Sequence, residues 1–243
     1  MDNASFSPEP ASTLVHLAAG CVCVDGTYVS LSKRETQVVM KIACMSRPIA
    51  IDELASSIFE HATPVKNANN NIKVFINRIR RKLGVRAIVR SSLGYRLGSN
   101  VYSDLTIFTH ALLEARAKRA LDDRLFELIL STLSAVPCPT LVQYEWFDCA
   151  AVRSRHLAQE LLLVFSRQAT ANADFELAAH LASLATIDDP TDEDALEVAC
   201  RALGRLGDYS TVHRSIARHI DAVRGELASE PSERVNGLLL SMH

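Results

Sequence analysis

Acidic residues are missing from a long stretch of this chain. The 43 residues from His61 to Ser103 hold no aspartate or glutamate, where the average density of 28 in 243 would place about five. The same stretch carries nine basic residues: Lys66, Lys73, Arg78, Arg80, Arg81, Lys82, Arg86, Arg90 and Arg96. A field of one sign repels itself unless an anion shares it, and nucleic-acid phosphate is the usual anion. Other absences narrow the function. There is no Gly-rich Walker loop and no G-x-S-x-G elbow, so nucleotide hydrolysis and serine hydrolysis lack support. His110, His156, His180, His213 and His219 are dispersed, and His16, Cys21 and Cys23 fit no common zinc spacing. The longest obvious apolar run, Leu161–Phe165, is far too short to span a bilayer. Met1–Ser12 is short and acidic, without the apolar stretch of a signal peptide. Six scattered cysteines suit reduced thiols. The expectation is a cytoplasmic protein that is not an enzyme and uses no cofactor, metal or membrane.

What is present divides by charge. Residues 12–98 hold 13 Lys/Arg against five Asp/Glu, residues 99–243 hold 13 against 21, and the first eleven add two acids. Such asymmetry suggests a basic nucleic-acid-binding module joined to a neutralising or regulatory one. The expected organisation is a flexible tail at 1–12, a DNA-binding domain at 13–98, a linker at 99–103 and an all-helical domain at 104–243.

Leu14–Leu17, Cys21–Val24 and Thr27–Leu31 are rich in β-formers, and Asp25-Gly26 between two of them is a hairpin cue. Ser32-Lys33-Arg34-Glu35 is a capping box opening a helix through Met45. Pro48–Ile51 reads as a short strand and Ile51–Phe59 as a second helix. The polar loop His61–Asn69 leads to a third helix, Asn70–Leu83. Its Ile72, Ile76, Ile79 and Leu83 form a buried stripe, and Lys73, Val74, Asn77, Arg78 and Arg81 lie opposite. Ala87–Arg90 and Gly94–Leu97 read as two strands around the tip Ser91-Ser92-Leu93. Beyond the linker the candidates are all helices: Asp104–Ala117, Leu121–Ser134, Glu145–Ala169, Asp174–Thr186, Thr191–Leu206 and Tyr209–Ala228. Asp174-Phe175 and Asp208-Tyr209 each start a helix 34 residues apart, the period of tetratricopeptide helix pairs.

Strands, three helices and a hairpin, with a basic third helix, describe a winged helix-turn-helix. Residues 31–97 resemble the OmpR/PhoB-type DNA-binding domain. The stretches that carry the likeness are Leu31–Glu35, Ile51-Asp52-Glu53-Leu54-Ala55, Asn70–Gly84 and Gly94-Tyr95-Arg96-Leu97. The resemblance implies a four-stranded N-terminal sheet, a recognition helix at Asn70–Leu83 and a wing near 87–97. It places Lys73, Val74, Asn77 and Arg78, with Arg81 adjacent, where bases are read. Lys66, Asn71, Arg80, Lys82, Arg90, Ser91 and Arg96 fall to phosphate or wing contacts, which position without specifying. Two departures stand out. Ala50 occupies the second helix's cap, where a hydroxyl is common, at a cost of around 1 kcal/mol. Ser91 stands where the wing arginine is usual, and Arg90 is one step displaced.

The remainder resembles the bacterial transcriptional activation domain of antibiotic regulatory proteins. The similar pieces are Glu145-Trp146-Phe147, Asp188-Asp189-Pro190, Ala202–Asp208 and Leu227–Ser232. Together the resemblances imply an α+β winged helix followed by an all-α, tetratricopeptide-like domain, in a transcription regulator that binds double-stranded promoter DNA. Tandem binding or a homodimer is implied, with RNA polymerase as a candidate partner. Two alternatives remain: a protein-interaction scaffold whose winged helix does not bind DNA, and a regulator that senses a small ligand between the C-terminal helices.

Overall fold

The computed structural model describes residues 13–59, 65–117, 126, 129–130, 132 and 145–240. The expected tail at 1–12 and most of the expected helix Leu121–Ser134 lie outside these residues. The chain forms two compact units, Met1–Leu157 and Ala158–His243.

The first unit starts with β1 (Thr13–His16), β2 (Cys21–Val24) and β3 (Thr27–Tyr28). Asp25 and Gly26 both have positive φ, 49° and 76°, as the tight primed turn between right-twisted strands requires. Helix α1 (Lys33–Ala43) opens on the expected capping box. The Glu35 amide donates to the Ser32 hydroxyl and the Ser32 amide donates to the Glu35 carboxylate at 2.8 Å. Helix α2 (Ile51–Ile58) has no side-chain cap at Ala50. Helix α3 (Val65–Leu83) starts five residues earlier than periodicity alone suggested, because Ala68 is buried and extends the apolar stripe by another turn. The wing is β4 (Ile88–Ser91) paired antiparallel with β5 (Gly94–Leu97). The strand expected at Pro48–Ile51 is reduced to one bridge between Ile49 and Tyr95. That bridge fastens the wing, and it requires glycine beside it. Gly94 sits at φ +137°, and a Cβ there would fall on the Ile49 carbonyl.

The stretch 99–103, expected as a linker, instead holds strand β6 (Val101–Ser103), which pairs parallel with β1. The sheet order is β3-β2-β1-β6, so the fourth strand arrives after the wing. Val101 and Ser103 are buried, and Ser103 also caps α4 (Asp104–Arg116) through the Thr106 amide. Helix α5 (Glu145–Ala171) follows. Its early residues Phe147, Ala150 and Ala151 share one core with Val38, Leu54, Ile72 and Ile79. The boundary expected near residue 100 therefore lies inside the first unit.

The second unit contains the rest of α5 with α6 (Phe175–Asp188), α7 (Glu193–Leu206), α8 (Tyr209–Glu226) and α9 (Glu233–Leu240). Its core is alanine-rich, including Ala169, Ala178, Ala179 and Ala202 around Leu196, Ile216 and Val235. The 34-residue recurrence has a matching backbone. Ala173 (φ 59°) and Gly207 (φ 76°) are both left-handed. The Asp174 and Asp208 amides bond the carbonyls five residues back, Ala169 and Leu203, at 2.9 and 3.0 Å. Each aspartate then caps the next helix, accepting from Leu177 and Thr211 respectively. Matching turns join each successive helix pair, which is how a repeated unit stacks. Helix α9 lies beyond the expected helices.

Candidate nucleic-acid interface

Helix α3 exposes one chemical face. At 100° per residue, Lys66, Lys73, Val74, Asn77, Arg78 and Arg81 fall within roughly 140° of arc. Val74 stands out on it at 46% exposure, while Ala68, Ile72, Ile76, Ile79 and Leu83 are buried on the other side. The helix holds no acid. Among the described residues, Lys66, Lys73, Arg78 and Arg81 have no ion-pair partner, so no described carboxylate compensates their charge. Val74 is an exposed apolar side chain among these cations. Asn71 is exposed at the margin of the same face.

Two cations expected on phosphates are used inside the domain. Arg80 and Lys82 project from opposite margins of the stripe. The Arg80 Nε donates to the Ile88 carbonyl at 2.9 Å, tying α3 to the wing strand β4. The Lys82 ammonium donates to Glu35 at 2.8 Å and to the Ser30 carbonyl at 3.0 Å, closing the α1 capping box from outside. Glu35 is 2% exposed. Burial pushes its carboxyl up, but the Lys82 ammonium and the Ser32 amide and hydroxyl outweigh that and hold it below its ordinary value.

The wing adds two exposed arginines. The register sets Arg90 opposite Tyr95 and Arg96 opposite Val89, so they issue from opposite faces of the ribbon. Ser91 closes the wing tip, where its hydroxyl donates to the Gly94 carbonyl and accepts from the Leu93 amide. Phe75 stacks on Phe59, with centroids 6.4 Å apart, so it packs between helices. The Arg34 guanidinium lies 5.3 Å from the Phe59 centroid and bonds the Ile58 carbonyl, ordering the end of α2. Asn69 bonds Asp52 across the two helices.

Trp146 ties α1 and α2 together in a way that the sequence alone does not reveal. Its indole N–H donates to the Ser57 carbonyl at 3.2 Å, and Lys41 sits 4.9 Å above its ring. From sequence, Trp146 reads as core packing between helices. The signal that could have found this role is a solitary tryptophan opening a long helix, since buried indoles require an acceptor.

Behind the sheet lies a second polar group. Asp104 is 1% exposed and accepts the Ala18 and Leu105 amides, both at 2.9 Å. Burial nonetheless pushes its carboxyl up to about 6. Burial also lowers His16 to about 4. These groups are internal and belong to stability. Of the acids near the start of α7, Asp192 caps the helix and Asp189 accepts the Thr191 amide and hydroxyl, while Glu193 and Asp194 accept from Ser232, Arg167 and Arg234. No helix among the described residues is long and apolar enough to cross a membrane.

No protein-family model and no curated protein matches the chain. Among solved structures it is similar to Mycobacterium tuberculosis EmbR in complex with a low-affinity phosphopeptide, with a TM-score of 0.58 and 17% identity. The likeness covers 96% of this chain and 65% of EmbR, so the chain spans less than two thirds of that protein. The fold is thereby shown: a winged helix followed by a helical domain.

Proposed function

We propose that the chain is a sequence-specific transcription regulator, acting as an activator in the cytoplasm, that reads double-stranded promoter DNA. In this reading α3 enters the major groove, where Lys73, Arg78 and Arg81 donate to guanine, Asn77 pairs with adenine and Val74 meets thymine. Lys66 and Asn71 before them, with Arg90 and Arg96 on the wing, contact phosphates. Arg80, Lys82 and Ser91 act indirectly, by holding α3 and the wing in place. The helical unit arranges copies in tandem or as a dimer and contacts RNA polymerase.

One observation carries this reading. A full helix face presents cations with no acid among them and no ion-pair partner among the described residues. Solvated faces mix both signs, and self-repulsion of this kind is relieved when phosphates are bound.

The test is selection of genomic fragments by the purified chain, followed by footprinting. The expected result is enrichment of a few fragments, with protected repeats whose base preference relaxes in Arg78→Ala. Absence of any enriched fragment would favour the scaffold reading.

A further inference from the structure

In the second unit a cleft of about 260 Å³ opens between α5, α7 and α9. It is lined by Arg167, Thr170, Asp194, Glu197, Arg201 and Arg234, among others. Its charges alternate in a chain. The Arg167 guanidinium donates to Asp194 at 2.7 Å and Arg234 donates to the other Asp194 oxygen at 2.8 Å. Arg234 also pairs with Glu197, which in turn pairs with Arg201. The Arg234 and Arg167 bonds hold the Asp194 carboxyl below its ordinary value, so this carboxylate is ionised at neutral pH.

Three cations against two anions leave the cleft with a surplus positive charge. The surplus lies at the ends, because Arg167 and Arg201 each share only one carboxylate. A guanidinium has five N–H donors in a fixed fork, and one carboxylate cannot occupy them all. Both side chains are accessible, at 54% and 70% exposure, so either can turn to an incoming group. Asp194 and Arg234 come from the first turns of α7 and α9, and the acids beside them, Glu193 and Glu233, are not among the residues that line the cleft.

We propose that this cleft binds a small organic phosphate, held between Arg167 and Arg201 over Arg234. Paired guanidiniums suit phosphate oxygens because each fork can bond two of them. The volume falls below the roughly 300–1,000 Å³ of sites for drug-sized ligands, so the organic part of the proposed phosphate is limited to a few atoms. Its binding gives the helical unit a chemical input separate from the DNA face.

The experiment is titration of the full chain at low ionic strength with glycerol 3-phosphate, inorganic phosphate and glycerol, followed by calorimetry. The expected result is saturable binding of glycerol 3-phosphate, at least tenfold weaker binding of inorganic phosphate and none of glycerol. Arg201→Gln and Arg167→Gln, both at exposed positions, should each weaken binding about tenfold or more, as loss of a charge-assisted bond does. No saturable binding, equal binding of inorganic phosphate, or unchanged affinity in Arg167→Gln/Arg201→Gln overturns the proposal. Loss in Lys73→Gln/Arg78→Gln alone would assign the anion to the DNA face and overturn it too. The DNA reading stands or falls separately, because neither Arg167 nor Arg201 belongs to it.

Discussion

The arginines of α3 and those of the α5–α7–α9 cleft are the same residue type in opposite electrostatic settings. On the exposed face of α3, Lys73, Arg78 and Arg81 have no ion-pair partner among the described residues, whereas in the cleft Arg167, Arg201 and Arg234 interleave with Asp194 and Glu197. A cation already answered by a carboxylate gains less from a phosphate, because that neighbour must be released or shared. An unanswered one gains the full contact and releases counterions from the nucleic acid. The difference lies in the placement of acids, and the composition of the two faces follows from it. The unbroken stripe suits the proposed polyanion, and the interleaved charges suit the proposed small anion.

The sharpest break in this comparison is charge reversal. Arg78→Glu should reduce DNA affinity by roughly 100-fold or more, since it removes a charge-assisted contact and adds repulsion. Arg201→Glu should leave DNA affinity unchanged within twofold. Fluorescence anisotropy with a labelled site checks both.

Next in size is a pH effect that runs in opposite directions in the two units. The Asp104 carboxyl is raised by burial from 3.8 to about 6. Its contribution to stability is therefore present below pH 4 and lost as pH rises through 6. Asp194 is held low by Arg234 and Arg167, so its contribution is present above pH 4 and lost as pH falls. The stability of Asp104→Asn relative to the parent chain should rise between pH 4 and 7, by on the order of 3 kcal/mol. Asp194→Asn should show its largest deficit above pH 4. Because each variant is compared with the parent, the opposing titration of His16 cancels. Urea denaturation across pH reads both.

A smaller effect separates working cations from structural ones on α3 itself. Lys82→Met strands the buried Glu35 carboxylate and should cost about 2 kcal/mol, moderated because Lys82 is partly exposed. Lys73→Met should leave stability unchanged within about 0.5 kcal/mol while weakening DNA binding. Smallest is Ala50→Ser, which supplies the missing α2 cap and should stabilise by about 1 kcal/mol, read as a higher urea midpoint.

These contrasts also mark what was legible in the sequence. Local rules carried far. The capping box, the Asp25-Gly26 turn, the apolar stripe of α3 and the repeated Asp caps are set by residues a few positions apart. Features that depend on distant partners were hidden. Strand β6 is three residues long and becomes a strand only because Thr13–Val15 accepts it in parallel. The structural roles of Arg80 and Lys82 depend on Ile88 and on Glu35, the latter 47 positions away. In the sequence these two cations look the same as Lys73, Arg78 and Arg81. Trp146 meets Ser57 across 89 positions, which no periodicity encodes. The cleft arginines were invisible as a group because they come from three separate helices.

The most direct test of the central claim is the slope of log affinity against log salt for DNA binding. If the unpaired stripe is the DNA face, the parent chain should show a slope of roughly −3 per bound copy, set by about 0.9 for each phosphate neutralised by Lys66, Arg90 and Arg96. Lys66→Ala should reduce that magnitude by about one, and Arg201→Gln should leave it untouched. A slope near zero, or one that falls with Arg201→Gln and not with Lys66→Ala, would contradict the account.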